Sequence, residues 1–162
     1  MQKVTLLCVG KLKEAFYRDA AAEYAKRLSR FCNLEILELP EERLPEDPSP
    51  AQIEAALDRE AEVIRGRLSG SCRLIALCVE GKTCSSEELA LRMARWGGDS
   101  AGGQRLVFLI GGSFGLHESI KRQAQERISM SPMTFPHHLA RVMLLEQIYR
   151  AYQINGGGRY HK

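Results

Sequence analysis

Three groupings of residues have types and spacings that suit chemistry. The first, Gly111-Gly112-Ser113-Phe114-Gly115, directly follows the unbroken apolar run Leu106 to Ile110. Such a run reads as a strand buried on both faces, and the glycines let the chain turn tightly just past its carboxyl end. Open α/β sheets bind ligands there. A glycine loop presents bare N–H and C=O groups, so the chemistry it suggests is main-chain recognition of a small molecule. The same turn read alone is equally a structural one. It is not a phosphate loop, since no Gly-Lys-Ser/Thr follows at the required spacing, and it lacks the Gly-x-Gly-x-x-Gly dinucleotide fingerprint. The second grouping is His137 and His138 beside Pro136, suited to a base, a ligand or a capping role. No Cys or carboxylate stands near them at metal-binding spacing, so no metal is expected. The third is the five cysteines Cys8, Cys32, Cys72, Cys78 and Cys84, odd in number and without a C-x-x-C pair. Several fall inside apolar runs, a pattern of buried reduced thiols rather than of disulfides or zinc.

These groupings need a scaffold, and the hydrophobic pattern supplies it. Lys3 to Val9 reads as a strand, and Phe16, Ala20, Tyr24, Leu28 and Phe31 as the apolar face of a helix from Glu14 to Phe31. Leu34 to Leu39 alternates as a half-exposed strand, and the acidic, proline-rich stretch Pro40 to Pro50 is a surface loop. Ile53, Leu57, Ala61, Ile64 and Leu68 mark a second helix. Leu74 to Val79 is a third buried strand ending in Glu80-Gly81-Lys82; Ser85 and Glu88 then form a capping box before Leu89, Met93 and Trp96. Gly97 to Gly103 links that helix to the Leu106 strand. Beyond the glycine loop come a polar helix, His117 to Glu126, a short strand at Ile128 to Met130, a loop from Ser131 to His138, and a last helix from Leu139 to Ile154. Strands alternating with helices predict one α/β domain, residues 1–162, with a mostly parallel sheet and helices on both faces.

The last helix carries two apolar stripes, Val142, Leu145, Tyr149 and Tyr152 on one side and Leu144, Ile148 and Ala151 on the other. One stripe fits the sheet and the other fits a second subunit in a symmetric dimer, unless both are buried within one chain. The chain of 162 residues is 44% hydrophobic and 27% charged, ordinary for a soluble domain. No stretch has the pattern of a signal peptide or the length of a bilayer span, so a cytoplasmic protein without a membrane partner is expected. The net charge of +3 is uneven: His117 to Lys162 holds seven Lys/Arg against three Glu, whereas residues 1–116 hold 16 against 17. A basic C-terminal part beside a small-molecule loop points to an anionic macromolecule such as nucleic acid, with a mildly positive solvated surface as the plain alternative.

Taken together, Leu-Ile-Gly-Gly-Ser-Phe-Gly-Leu, Met-Ser-Pro-Met-Thr-Phe-Pro-His, Arg-Val-Met-Leu-Leu-Glu-Gln-Ile-Tyr-Arg-Ala and the terminal Tyr-His-Lys closely resemble the bacterial ribosomal RNA large-subunit methyltransferase H family, the minimal SPOUT class. The resemblance covers the full length. It implies an S-adenosylmethionine-dependent enzyme that methylates N3 of a pseudouridine in 23S rRNA and works as a homodimer; so small a chain must choose its substrate by docking to a large preformed surface, so assembled ribosomes are the expected substrate. It also implies a C-terminal trefoil knot, an exception to the rule that chains do not thread loops. The family's cofactor pocket falls on Leu77, Gly111 and the run Met130, Ser131, Pro132, Met133, Thr134 and Phe135. The reaction the resemblance implies makes Arg141, His137 and His161 catalytic candidates: Arg141 to offset charge on the uracil carbonyls, His137 or His161 to take the proton. Arg159 and Tyr160 in the glycine-rich tail are candidate RNA contacts. The alternatives are a SPOUT methyltransferase acting on tRNA and a non-catalytic ribosome-binding factor.

Overall fold

The computed structural model describes residues 1–98 and 103–162. Of the expected glycine-rich link, residues 99–102 lie outside the described residues. The elements run β1 (Gln2–Val9), α1 (Ala15–Leu28), β2 (Cys32–Leu39), α2 (Pro50–Arg65), β3 (Cys72–Thr83), α3 (Ser86–Gly98), β4 (Arg105–Ile110), α4 (Glu118–Gln123), β5 (Glu126–Ser129) and α5 (His137–Asn155). All strand pairs are parallel, in the order β2-β1-β4-β3-β5. Every strand therefore ends at the same edge of the sheet. Val4 pairs with Leu106, and Ile75 with Phe108.

The period of two along the strands divides the core. Val4, Leu6 and Cys8 of β1, with Leu106 and Phe108 of β4, point into a layer closed by α1, α3 and α5. Leu7 and Val9, with Val107 and Leu109, point to the opposite side, against Ala61 and Ile64 of α2 and Ile120 of α4. Helices cover both faces, as the apolar runs required. The capping box forms as expected: the Ser85 amide donates to Glu88 Oε2 at 2.8 Å, and Ser85 Oγ accepts from the Glu88 amide at 3.1 Å. Ser49 and Gln52 form a second box at the start of α2.

Four expectations change. Phe16 is not in the apolar face of α1 but 66% exposed, because the side of the helix that meets the core is the one carrying Ala21 and Leu28, and Phe16 lies off that stripe. Strand β3 runs through Glu80-Gly81-Lys82 to Thr83, carried past the expected stop by renewed pairing of Lys82 and Thr83 with β5 after an irregularity in register. The polar helix shrinks to six residues, and β5 begins earlier, at Glu126. Both stripes of α5 find partners inside the chain: Leu144, Leu145, Ile148 and Ala151 are buried, and Val142, Tyr149 and Tyr152 pack against the same layer. The two stripes therefore do not by themselves require a second subunit. The cysteines are all free, with Cys8 and Cys32 buried.

Candidate functional site

A cleft of about 700 Å³ opens at the carboxyl ends of β3, β4 and β5. Its walls are Leu77 and Cys78 of β3, Ile110 with the glycine loop, Ile128 to Ser131, and the first turn of α5 at His137 and Ala140. Of the residues expected to hold a cofactor, Leu77, Gly111, Met130, Ser131, Met133, Thr134 and Phe135 all line it. Pro132 is in the same loop, exposed, and not in the lining. Met133 and Phe114 stand exposed at 72% and 47%, apolar groups with nothing of this chain over them.

Main-chain crowding explains the glycines. A side chain at Gly111 would collide with the Gly115 carbonyl, the two strands of the turn being that close. At Gly112 the space is taken by a carboxylate: an added Cβ would stand 2.6 Å from Glu41 Oε1. That same oxygen accepts the Ser113 amide hydrogen at 2.7 Å. Glu41 comes from the acidic loop after β2, which is fastened to α2 where the buried Glu60 carboxylate accepts the Glu42 amide at 2.8 Å. Nothing in the sequence marked Glu41, which falls in a loop read only as surface.

Behind the cleft, Arg141 is 3% exposed. It donates through Nη1 to Glu38 Oε2 at 2.6 Å and through Nη2 to the Gly10 carbonyl at 2.9 Å. It thereby ties the start of α5 to the ends of β1 and β2, and it is not in the cleft lining. Burial tends to raise the Glu38 carboxyl, but the hydrogen bond and charge of Arg141 prevail and hold it below its ordinary value. His137 does line the cleft. Its Nε2 and Glu41 Oε2 each lie within 4 Å of where a side chain at Gly10 would begin, at 3.7 and 3.6 Å. Burial, then the neighbouring His138 and Arg141, push the His137 imidazole below its usual value, against the pull of Glu41. A neutral imidazole at an apolar cleft can accept a proton.

The rim holds an ion pair, Lys121 with Glu80; Lys121 also stands 3.4 Å from Glu118. The hydrogen bond from Lys121 is the first cause of a lowered Glu80 carboxyl. Among the described residues no group of three or more His, Cys, Asp or Glu is placed to hold a metal, and no helix is long and apolar enough to cross a membrane.

The tail lies elsewhere. Tyr160 packs edge-on against Tyr149 at 4.9 Å and donates to Glu146 Oε1, while His161 meets Glu87 at 2.7 Å and Arg150 at 3.2 Å. Arg159 is exposed beside them. The structure therefore brings His137 together with the expected cofactor residues, puts Arg141 behind them, and leaves Arg159, Tyr160 and His161 at the other end of α5. From His137 to Arg150 the helix alone spans roughly 20 Å.

The family model described as "Predicted SPOUT methyltransferase" matches residues 2–161. The chain is 45% identical over 161 residues to a Clostridioides difficile protein named ribosomal RNA large subunit methyltransferase H, covering 98% of this chain and 99% of that one. A Bifidobacterium adolescentis protein of the same name is 46% identical over 160 residues, with 99% of each covered. Among solved structures, a probable methyltransferase from Bordetella pertussis Tohama I superposes with a TM-score of 0.61 at 16% identity, covering 93% of this chain and 95% of that one, a likeness of fold.

Proposed function

The chain belongs to the SPOUT methyltransferase family, and from that premise we propose that it uses S-adenosylmethionine to methylate N3 of a pseudouridine in 23S rRNA of the large ribosomal subunit. The observation that carries this reading is the cleft itself. Seven of the eight residues expected to hold the cofactor, drawn from three separate segments, line one cavity at the carboxyl edge of the sheet. Relatives alike over nearly their whole length are named ribosomal RNA large subunit methyltransferase H, which supports large-subunit rRNA as the methyl acceptor.

The residues present fit such a cofactor. Leu77, Ile128, Met130 and Phe135 offer apolar walls for an adenine, and the glycine loop, whose tight turn tolerates no side chain at Gly111 or Gly112, brings its main chain to the cleft. The cofactor would supply an electrophilic methyl group on a sulfonium. Everything else falls to the chain. The glycine loop and the loop from Met130 to Phe135 hold and orient, which supplies a large part of a displacement's acceleration. The exposed Met133 and Phe114 at the mouth would shield the reacting groups from water once substrate covers them. The pseudouridine imide must give up its N3 proton as the N3–CH3 bond forms, and His137, which lines the cleft, is the group we assign to take it. Arg141 serves by fixing the first turn of α5, and hence His137, against β1 and β2.

The tail belongs to the same proposal. It is too far along α5 to serve the cleft of its own chain, so Arg159, Tyr160 and His161 contribute only across a homodimer, where Arg159 contacts phosphate and Tyr160 stacks on a base. The trefoil knot and a cytoplasmic location go with the family reading. Assembled ribosomes are the expected substrate rather than naked RNA. The test is methyl transfer from labelled S-adenosylmethionine to ribosomes from a strain lacking this protein, followed by digestion to nucleosides. N3-methylpseudouridine in 23S rRNA is expected; label appearing only in tRNA, or only with protein-free 23S rRNA, would overturn it.

A further inference from the structure

Phe16 is 66% exposed in the first turn of α1. Its ring meets Tyr17 at 4.4 Å, Tyr17 meets His138 at 6.0 Å, and His138 meets His137 at 4.0 Å. His137 lines the cleft. Four rings thus run in contact from open surface to the site of chemistry, each tilted to the next by 52 to 60°.

The outer end of this row is cationic. Between Lys11 and Arg30 stand six Lys/Arg against three Asp/Glu. Of the acids, Glu23 is paired with Arg27, and Glu14 lies 3.9 Å from His138. Lys11 and Lys13 are exposed, and the Arg18 guanidinium donates to the carbonyls of Leu12 and Lys13 rather than to a carboxylate. Its charge is left available to an anion.

We propose that this row is a docking track for single-stranded RNA: a nucleotide flanking the one in the cleft stacks on the open face of Phe16, with its phosphates beside Lys11, Lys13 and Arg18. The inference rests on the reading of the cleft as a site for an RNA base and adds where the strand leaves it. An exposed phenyl ring bordered by cations matches a base with its phosphate, since every base has an aromatic face. The same face of a second copy is a poorer match, since it carries the same positive charge.

The test is fluorescence anisotropy of the full-length protein with a labelled 12-nucleotide oligouridine, at several salt concentrations. Phe16→Ala is expected to bind about tenfold more weakly, the usual loss for one stacked base. Phe16→Trp is expected to bind at least as tightly as wild type, and its indole emission should fall as RNA is added. Lys11→Gln with Lys13→Gln should weaken binding and flatten the salt dependence. Cofactor affinity, measured by calorimetry, should stay unchanged in all of these variants. Unchanged RNA affinity in Phe16→Ala, no fluorescence change in Phe16→Trp, or a change only in sedimenting mass would each overturn the track. A wild type that binds the oligonucleotide through Phe16 yet methylates no ribosome would leave the track standing and defeat the reading of the reaction. Full methylation with Phe16 irrelevant to RNA would do the reverse.

Discussion

Glu41 Oε1 accepts the Ser113 amide hydrogen at 2.7 Å across 72 residues of sequence, joining the loop after β2 to the glycine loop after β4. A carboxylate bound to a backbone N–H is one of the stronger hydrogen bonds, and this one fixes the turn whose main chain faces the cleft. Glu41→Ala is expected to weaken S-adenosylmethionine binding about fivefold, or roughly 1 kcal/mol for a partly hydrated bond. Gly112→Ala should be as damaging, since its Cβ would displace the same carboxylate. Calorimetric titration measures both, and wild-type affinity in Glu41→Ala would show that the loop holds its shape unaided.

Glu38→Gln leaves Arg141 as a buried cation without its carboxylate. The expected loss is about 3 kcal/mol, read from the midpoint of urea unfolding at pH 7. The sign with pH follows from the lowered Glu38 carboxyl. As the pH falls the unfolded chain takes up this proton first. Stabilisation is therefore complete above the ordinary value of 4.5 and is lost as the pH drops through the lowered folded value. The variant should lack this part of the acid dependence.

His137 is held below its ordinary value of 6.5, chiefly by burial, so it is neutral at pH 7. If it takes the N3 proton, kcat should fall on its acid limb at a pH below 6.5, where the imidazole becomes charged. His137→Gln should lower kcat by about 100-fold and remove that limb while leaving cofactor affinity within a few-fold. A retained limb at the same pH would assign it to another group.

Cys78 lines the cleft and Cys8 lies in the core. Burial pushes the Cys8 thiol up to about 12, and burial together with Glu80 raises Cys78. Alkylation of the native protein at pH 8 should leave Cys8 untouched and modify Cys78 slowly. S-adenosylhomocysteine should slow Cys78 further, by about tenfold at saturation. Peptide mapping with and without the ligand checks this, and equal labelling in both would place the ligand away from Leu77 and Cys78.

What the sequence made legible was whatever depends on local pattern. The double-buried run of β4, the capping box at Ser85 and the apolar stripe of α3 formed where the pattern put them, because burial and capping act over a few residues. The cofactor loops were legible through resemblance, and the structure gathers them into one cavity. Glu41 was not legible, since its role arises from a contact 72 residues away. Phe16 kept an approximate helical spacing yet missed the core, for the buried side of α1 is set by Ala21 and Leu28 and a short helix offers more than one way to draw a stripe through its apolar residues. The end of β3 was missed for a related reason: Gly81 breaks the apolar run, but pairing with β5 continues the strand regardless. Arg141 showed its charge in the sequence and not its burial.

The strand order carries a consequence for how the molecule comes into being. Strand β4 is inserted between β1 and β3, so Val4 finds Leu106 as its neighbour only after more than 100 residues of intervening chain exist. Closing such long loops is slow compared with forming helices or hairpins. During synthesis β1 and β2 can pair early, but the middle of the sheet waits for β4, and the cleft waits for β5 and α5, which follow β4 in the chain. A nascent chain halted before α5 would expose Phe108 and Leu145's intended neighbours to solvent and have no His137. The site is thus competent only once α5 has been made.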